Sequence, residues 1–491
     1  VLVLGIVMVL YASSLAFDYG TLFRRDNPLL AVDVARLESG PVARLEHARS
    51  VDELRSALAR ARAEGLKVSM AGSRHSQGGH TWTKDGVRLD MRSFNRILQI
   101  DTVGRRITVE SGATWAEIQR ALAPAGLAVK VMQSSNIFTV GGTLSANAHG
   151  RDLDISQAVE VVQRFSLMLA DGSVVEVSRT EHPELFGLVI GGYGMYGIIL
   201  DVTLTVAPDE LYEQRSVAMD YTEVPGYFDR VIRPDSGIVL LLMRPSIDPR
   251  PDRFLREVVV VTWRRAAPGS SGSFALTEEE HVLRDRFFLG LSRKFDWAKS
   301  LRWSLQKKVE LGAGESRIVS RNNAMRPPLA PLELLDYHSK RDTDIIQEYY
   351  IPMDGFVPFM DRLREILLRH DANVLSSTVR YVAANGTPVL AYAPERDVFA
   401  IIQMSNVPLS REGQAKAEAV TLELVDAAIK EGGTYYLTYQ LYPTADQLAR
   451  AYPRAREAFA AKRRYDPGEL FSSRFYERYR AEMAETAEVG P

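Results

Sequence analysis

The chain has 491 residues, 46% of them hydrophobic and 25% charged, with a formal net charge of -2 and no cysteine. That length implies two to four domains, and the near-neutral balance gives no electrostatic footprint for nucleic acid. The missing cysteines exclude disulfides, thiolate catalysis, cysteine zinc sites and cysteine-ligated iron–sulfur clusters.

Residues 1–17 carry no charge, and residues 1–24 read as an N-terminal membrane anchor. The competing readings are a signal-peptide core and a buried helix. Arg24 and Arg25 follow the apolar run and put the main body on the cytoplasmic side by the positive-inside rule.

Ser50 and Glu53 have the spacing of a capping box, opening a helix that runs through Ala57–Ala63 and stops at Gly65. Val68-Ser-Met reads as a strand and leads into the glycine-rich turn Ala71-Gly-Ser-Arg-His-Ser-Gln-Gly-Gly79. Strands are expected at Val87–Met91 and Arg106–Glu110, and a helix at Thr114–Ala123. A second glycine turn spans Val140–Gly150. A strand at Val159–Leu169 turns at Asp171-Gly172 into a partner at Val174–Val177, and Ile198–Val206 alternates as a further strand. From Leu211 to Trp263 the composition suits a second sheet. His281–Leu311 reads as one helix, with eight Lys or Arg against three Asp or Glu. Its face of Phe288, Leu291, Phe295, Ala298 and Leu305 suits either a bilayer interface or a cap packed on the core. Helices are expected at Phe356–Arg369 and Glu412–Lys430, strands at Asn373–Ala383 and Val398–Met404, and a mostly helical tail from Tyr452.

Gly192-Tyr-Gly-Met-Tyr-Gly197 matches G-x-G-x-x-G, but a strand pattern follows it where a Rossmann motif needs a helix. Close backbone approach to a flat or anionic group explains these glycines better. Two glycine-rich turns after short strands suit a pyrophosphate, because consecutive backbone N–H groups form an anion nest without lysine. Ala71–Ser76 is one, and Val140–Ser145, with hydroxyls at Thr143 and Ser145, is the other. No metal-ligand spacing and no G-x-S-x-G elbow is present.

The order of these motifs resembles the vanillyl-alcohol oxidase and p-cresol methylhydroxylase superfamily of FAD proteins. The segments that carry it are Ala71–Gly79, Thr139–Gly150, Leu169–Val175 and Gly191–Leu204, with Lys462–Phe471 resembling the family's ending. The resemblance implies an α+β fold: a two-subdomain FAD-binding domain at 45–207, a cap with an antiparallel sheet at 208–450 carrying the basic insert 281–311, and a segment 451–491 that returns to the FAD domain. It implies FAD held by Ala71, Gly72, Ser73, Arg74, His75, Ser76, Gln77, Gly141, Gly142, Thr143, Ser145, Asn147, Gly194, Ile198 and Ile199. His75 stands where members of the alditol oxidase and aldonolactone oxidoreductase branch bond covalently to the flavin; a hydrogen-bonded loop histidine beside non-covalent FAD is the alternative. His80 is a spare for that role.

His149 closes the second loop, where it either tunes the flavin and touches substrate or holds the loop. That branch carries a Glu-x-Arg pair on a cap strand; here Arg380 is kept and Thr378 replaces the Glu. Arg380 is suited to hold charge on reduced flavin or to anchor an anionic substrate; a surface salt bridge is the alternative. Gly432–Pro443, running on to Ala451-Tyr-Pro453, is similar to decaprenylphosphoryl-ribose oxidase, with Tyr439 and Gln440 where a lysine is expected; both are candidates to face substrate, with ordinary strand packing as the alternative. The implied function is membrane-associated oxidation of a C–OH group on a sugar, polyol, lactone or lipid-linked substrate; oxygen, a quinone or a protein are all open as electron acceptor, with membrane attachment pointing to a quinone or a protein. The rivals are a flavin-dependent C=C reductase or desaturase and a flavin-bearing assembly protein without turnover.

Overall fold

The computed structural model describes residues 27–133, 135–277, 282–312, 317–326, 337 and 339–484, together with residues 5, 6 and 9. Helix Val51–Ala63 begins where its sequence says it should: Ser50 accepts from the Glu53 N–H, and the Glu53 carboxylate accepts from Arg49 N–H. Its apolar face, Leu54, Ala57, Leu58 and Ala61, packs on a three-stranded parallel sheet ordered Arg44–Glu46, Val87–Asp90, Val68–Ala71. The C-terminal segment completes this layer. Val68 N donates to Leu470 O at 2.7 Å, Ser472 N donates to Val68 O at 2.9 Å, and Phe471 is fully buried in the same core.

A second sheet is antiparallel, in the order Val174–Ser178, Val162–Met168, Ile198–Pro208, Arg106–Glu110, Ile97–Asp101, with Leu127–Val129 paired to the end of Ile198–Pro208. Gly192–Gly197 is followed by strand Ile198–Pro208, as the rejection of a Rossmann motif requires.

The third sheet has eight antiparallel strands: Arg317–Ser320, Leu211–Asp220, Glu257–Arg265, Ile238–Pro245, Asn373–Val382, Val398–Pro408, Asp342–Pro352, Thr434–Tyr435. Helices Phe356–Arg369 and Arg411–Lys430 cover one face of it; the former buries Phe356, Phe359, Met360, Leu363, Ile366 and Leu367 at helical spacing. The opposite face looks into a cavity, and the period of two shows in what lines it: Leu242 and Arg244, then Ser376, Thr378 and Arg380, then Ile402 and Met404, then Ile346 and Glu348. The fold is mixed α+β, as expected.

Four expectations need correction. Among the described residues no helix is long and apolar enough to cross a membrane, so the N-terminal anchor is not supported. The segment 1–24 lies outside the described residues apart from positions 5, 6 and 9, and the cytoplasmic placement that rested on the anchor falls with it. The single helix of 281–311 is two, Val282–Lys294 and Asp296–Leu311, broken at Phe295; His281 lies outside the described residues. The pair is pinned to the cap sheet by the buried Arg293–Asp344 ion pair and by Trp303, whose indole N–H donates to Glu257. Phe295 is exposed while Ala298 is buried, so the expected apolar face is not continuous. The glycine turn at Val140–Ser145 is a short helix capped by Thr139. Asp342–Pro352, for which no element was expected, is an eleven-residue strand.

Candidate active site

Between the second sheet, the first loop and the cap sheet lies a cavity of about 800 Å³, within the ~300–1,000 Å³ range of ligand and cofactor sites. One end is built almost wholly from glycine-rich backbone. Strand Val68–Ala71 feeds the first loop, and Ala71, Gly72, Ser73, Arg74, His75 and Ser76 all line the wall. Ser73 Oγ donates to Ile137 O at 2.6 Å, tying this loop to the one before helix Val140–Ser145. Gly72 has no room for a side chain: a Cβ there would sit 2.1 Å from Thr139 Oγ1. The His75 ring meets Phe138 edge-on, with centroids 5.0 Å apart. Gly141, Gly142 and Ser145 line the next stretch, and Gly194, Gly197, Ile198 and Ile199 close it. Gly194 holds φ +76°, a left-handed conformation suited to glycine. Among the described residues, no lysine lines the cavity. Backbone N–H groups and the hydroxyls of Ser73, Ser76, Ser111, Thr139 and Ser145 supply its polarity there, which fits a dinucleotide pyrophosphate.

Four of the expected cofactor and substrate residues lie outside the cavity lining. Gln77 Oε1 accepts from Ile346 N at 2.9 Å and from Gln440 Nε2 at 2.5 Å, so Gln77 and Gln440 fasten the first loop to the cap rather than face a ligand. Thr143 is fully buried and bonded to Trp115, Gln133 and the Thr139 carbonyl. Asn147 bonds to Gln157 and accepts from Val159 N, holding the turn after the helix. His80 reaches the cavity wall, but its Nε2–H donates to Leu437 O at 2.7 Å and its ring stacks on Phe475. Burial pushes its imidazole down to about 4, so it is neutral at pH 7.

The other end of the cavity carries the ionisable groups. His149 Nε2 is bonded to Glu348 Oε1, and the Tyr439 hydroxyl donates to Glu348 Oε2 at 3.3 Å. Both members of the His149–Glu348 pair are 3% exposed. With Nε2–H given to the carboxylate, Nδ1 carries the lone pair, and it has no hydrogen-bond partner among the described residues. Tyr350, Tyr392 and Tyr436 ring the imidazole at centroid distances of 5.6, 6.0 and 6.4 Å. Burial and the Glu348 charge push the Tyr439 phenol far up, so it stays protonated and donates.

The sheet register locates Thr378 and the carboxylate relative to each other. Thr378 is opposite Ile402, and Ile402 is opposite Glu348. Met243 is opposite Val379, which sets Arg244 beside Thr378. Arg244, Thr378, Ile402 and Glu348 thus form one transverse row on the cavity face. The carboxylate that the Glu-x-Arg pattern would put at position 378 is present two strands away, on Asp342–Pro352. Arg380 lines the cavity next to this row; it is buried, and desolvation lowers its pKa against the opposing pull of Glu348. Glu348 was not foreseen, and neither were Arg151, Arg244 and Arg302, which also line this end.

A protein-family model described as an FAD binding domain matches residues 42–178, the stretch holding the first loop, helix Val140–Ser145 and the first hairpin of the second sheet. This part of the chain is an FAD-binding domain. The match bears out the cofactor expected from the four motifs, and the residues on the cavity wall fit it. Similar proteins include an L-gulonolactone oxidase of Mus musculus, 33% identical over 159 residues that make up 32% of this chain and 36% of that protein. A decaprenylphosphoryl-beta-D-ribose oxidase of Mycolicibacterium smegmatis is 31% identical over 157 residues, 31% of this chain and 34% of its own length. A mitochondrial L-galactono-1,4-lactone dehydrogenase 1 of Oryza sativa subsp. japonica is 30% identical over 155 residues, 32% of this chain and 26% of its own length. The similarity spans about a third of these relatives' own length.

Proposed function

We propose that this protein is an FAD-dependent oxidoreductase that oxidises a C–OH group of a sugar, polyol, lactone or lipid-linked molecule. The observation that carries the proposal is the buried His149–Glu348 pair, which joins the FAD domain to the cap inside the same cavity as the flavin loops. Such an oxidation breaks one C–H and one O–H bond: the C–H electron pair leaves with its hydrogen as hydride, and the hydroxyl proton needs a base. FAD, when bound, supplies the hydride acceptor. His149 Nδ1 takes the hydroxyl proton, and Glu348 holds the imidazole in the right tautomer and stabilises the positive charge it gains. The stacked and edge-on tyrosines exclude water from the pair. Arg380, cationic and next to this row, stabilises negative charge that develops opposite it.

The resemblance and the position of His75 on the cavity wall support covalent attachment of the flavin at His75. The cavity mouth favours a substrate with an apolar extension. Leu305 and Val309 line it yet are 42% and 77% exposed, and Leu301 and Trp297 continue the same helical stripe outward at four-residue steps. Two measurements test this reading. Acid precipitation of the purified protein should keep yellow colour with the polypeptide, and His75→Ala should release it. Anaerobic mixing with alcohols and lactones should bleach the flavin. Bleaching reversed by alkenes alone, with no alcohol active, would overturn the C–OH assignment.

A further inference from the structure

The cap end of the cavity holds more buried positive charge than proton removal from an alcohol requires. Arg244 lies on strand Ile238–Pro245, Arg380 on Asn373–Val382, Arg302 on helix Asp296–Leu311 and Arg151 just past the second flavin loop; all four line the cavity. The backbone brings them together. Leu241 N donates to Arg151 O at 2.9 Å, which lays Arg151 along the strand that carries Arg244. Arg302 Nη1 donates to Leu375 O at 2.8 Å, on the strand that carries Arg380.

Their partners do not balance them. Arg244 is 2.7 Å from Glu310 Oε1. Arg302 and Arg151 give hydrogen bonds to the neutral carbonyls of Leu375 and Ala324, and Arg151 also stacks on Trp263 at 5.3 Å. Nε of Arg151 and Nε of Arg380 are buried with no hydrogen-bond partner among the described residues. Both residues are at least nine-tenths buried, at 5% and 6% exposure. Among the described residues, the carboxylates on the same wall are Glu310, Asp285, which Arg284 contacts at 3.0 Å, and Glu348, already engaged by His149 and Tyr439. The carboxylate fields that reach these four arginines are those of Glu310 and Glu348, together with Asp285 and Asp344 at Arg302, and the last two are already engaged by Arg284 and Arg293. The crowding is felt: burial and the neighbouring arginines lower Arg151 well below its usual value and Arg302 to about 10. Buried guanidinium groups in such a cluster are stable when an anion enters between them.

We propose that Arg151, Arg244 and Arg302 form an anion subsite that holds a phosphate or carboxylate group on the substrate, remote from the carbon that is oxidised. The proposal rests on the oxidoreductase reading for the identity of the ligand as substrate. Strand spacing sets the scale: Arg244 and Glu348 stand three strands apart in one row, about 14 Å between backbones. The long arginine side chains shorten that gap and leave space for a sugar-sized body between the anion and the base. The subsite therefore selects for sugar or polyol derivatives that carry a negative group away from the reacting hydroxyl.

The test uses the FAD-loaded full chain. Melting temperature is followed against inorganic phosphate, acetate and chloride at matched ionic strength, in wild type, Arg302→Gln, Arg244→Gln and Arg302→Lys. A saturable rise with phosphate, at least tenfold weaker in both Gln variants and intermediate in Arg302→Lys, supports a phosphate-type subsite; the same pattern with acetate alone supports a carboxylate. Phosphate and acetate no better than chloride, or an effect untouched by the variants, overturns the subsite. Flavin content by acid precipitation is read on the same samples. Flavin present with no anion effect refutes the subsite and leaves the oxidoreductase reading intact. Specific anion binding in a chain that never holds flavin refutes the substrate role proposed here along with that reading.

Discussion

Replacing Glu348 with Gln separates a chemical role for this residue from a structural one. The amide has nearly the shape of the carboxylate, so the site is not emptied. Tyr439 stays in reach, and both side chains of the His149 pair remain buried, at 3% exposure each in the native protein. What changes is charge and tautomer. A carboxylate can only accept, which fixes the proton on His149 Nε2 and leaves Nδ1 free to take another. An amide can present its NH2 instead, which favours the opposite tautomer, and it cannot stabilise an imidazolium. Loss of a positioned general base is worth ~10²–10⁴ in rate, and a buried site belongs in the middle of that range, about 10³ or ~4 kcal/mol. Anaerobic stopped-flow measurement of flavin bleaching should show this loss with flavin content unchanged, because the substitution keeps the side chain's shape beside His149, its contact on the second glycine loop. His149→Gln should lose a similar factor, and the double variant little more, since the two residues act as one unit. A bleaching rate for Glu348→Gln within about threefold of wild type would refute the assignment.

Three other substitutions probe the frame. Gly72→Ala drives a Cβ to within 2.1 Å of Thr139 Oγ1. It should cost ~1–3 kcal/mol in urea unfolding and lower FAD occupancy, and Thr139→Ala added to it should restore part of both. His80 is neutral in the fold, with its pKa down at about 4 against 6.5 for the free side chain. As pH falls below 6.5 the unfolded chain binds the proton first, so stability present above 6.5 is lost progressively down to about 4. The difference amounts to about 3 kcal/mol at most. Melting curves between pH 7 and 4.5 should be visibly flatter for His80→Asn. Asp466 accepts from Leu470 N and Phe471 N and pairs with Lys462, whose side chain is fully buried. Asp466→Asn strands that ammonium and should cost ~3–5 kcal/mol; adding Lys462→Met should recover much of it, as read from the urea midpoint.

What the sequence disclosed follows from how local each signal is. Helix Phe356–Arg369 carries its own apolar spacing and helix Val51–Ala63 its own Ser50 cap as well, and both were legible to within a residue. Val140–Ser145 was read as a turn because paired glycines disfavour helix. The Thr139 cap and the need for Gly141 to lie against Ser111, where a Cβ would sit 2.9 Å from the serine Cβ, decide otherwise. Strand Asp342–Pro352 was hidden for a different reason. Helices cover one face and the cavity the other, so nine of its eleven residues are buried and no polar–apolar alternation marks it. Glu348 is a charged residue inside Ile345-Ile-Gln-Glu-Tyr-Tyr-Ile351, and that mismatch of type and surroundings was the one available signal. The convergence of Arg151, Arg244 and Arg302 depends on strand order and on a helix packed over it, neither of which is written at any single position.

The transverse row places a carboxylate in the cavity although position 378 carries none, and it makes a further prediction. If the carboxylate only had to be somewhere in the cavity, Thr378→Glu would rescue Glu348→Gln. The row says it should not. Position 378 is two strands from Glu348, about 10 Å between backbones, and a side chain there stands beside Arg244, with Arg380 two residues along the same strand. A new carboxylate would pair with those guanidinium groups, become a weaker base, and leave the tautomer of His149 unset. The double variant should bleach no faster than Glu348→Gln alone, within about threefold. Thr378→Glu in the native background should instead weaken anion binding by filling part of the positive cluster. Rescue to within about tenfold of wild type would mean that orientation of His149 is not what Glu348 provides, and that charge anywhere on this face suffices.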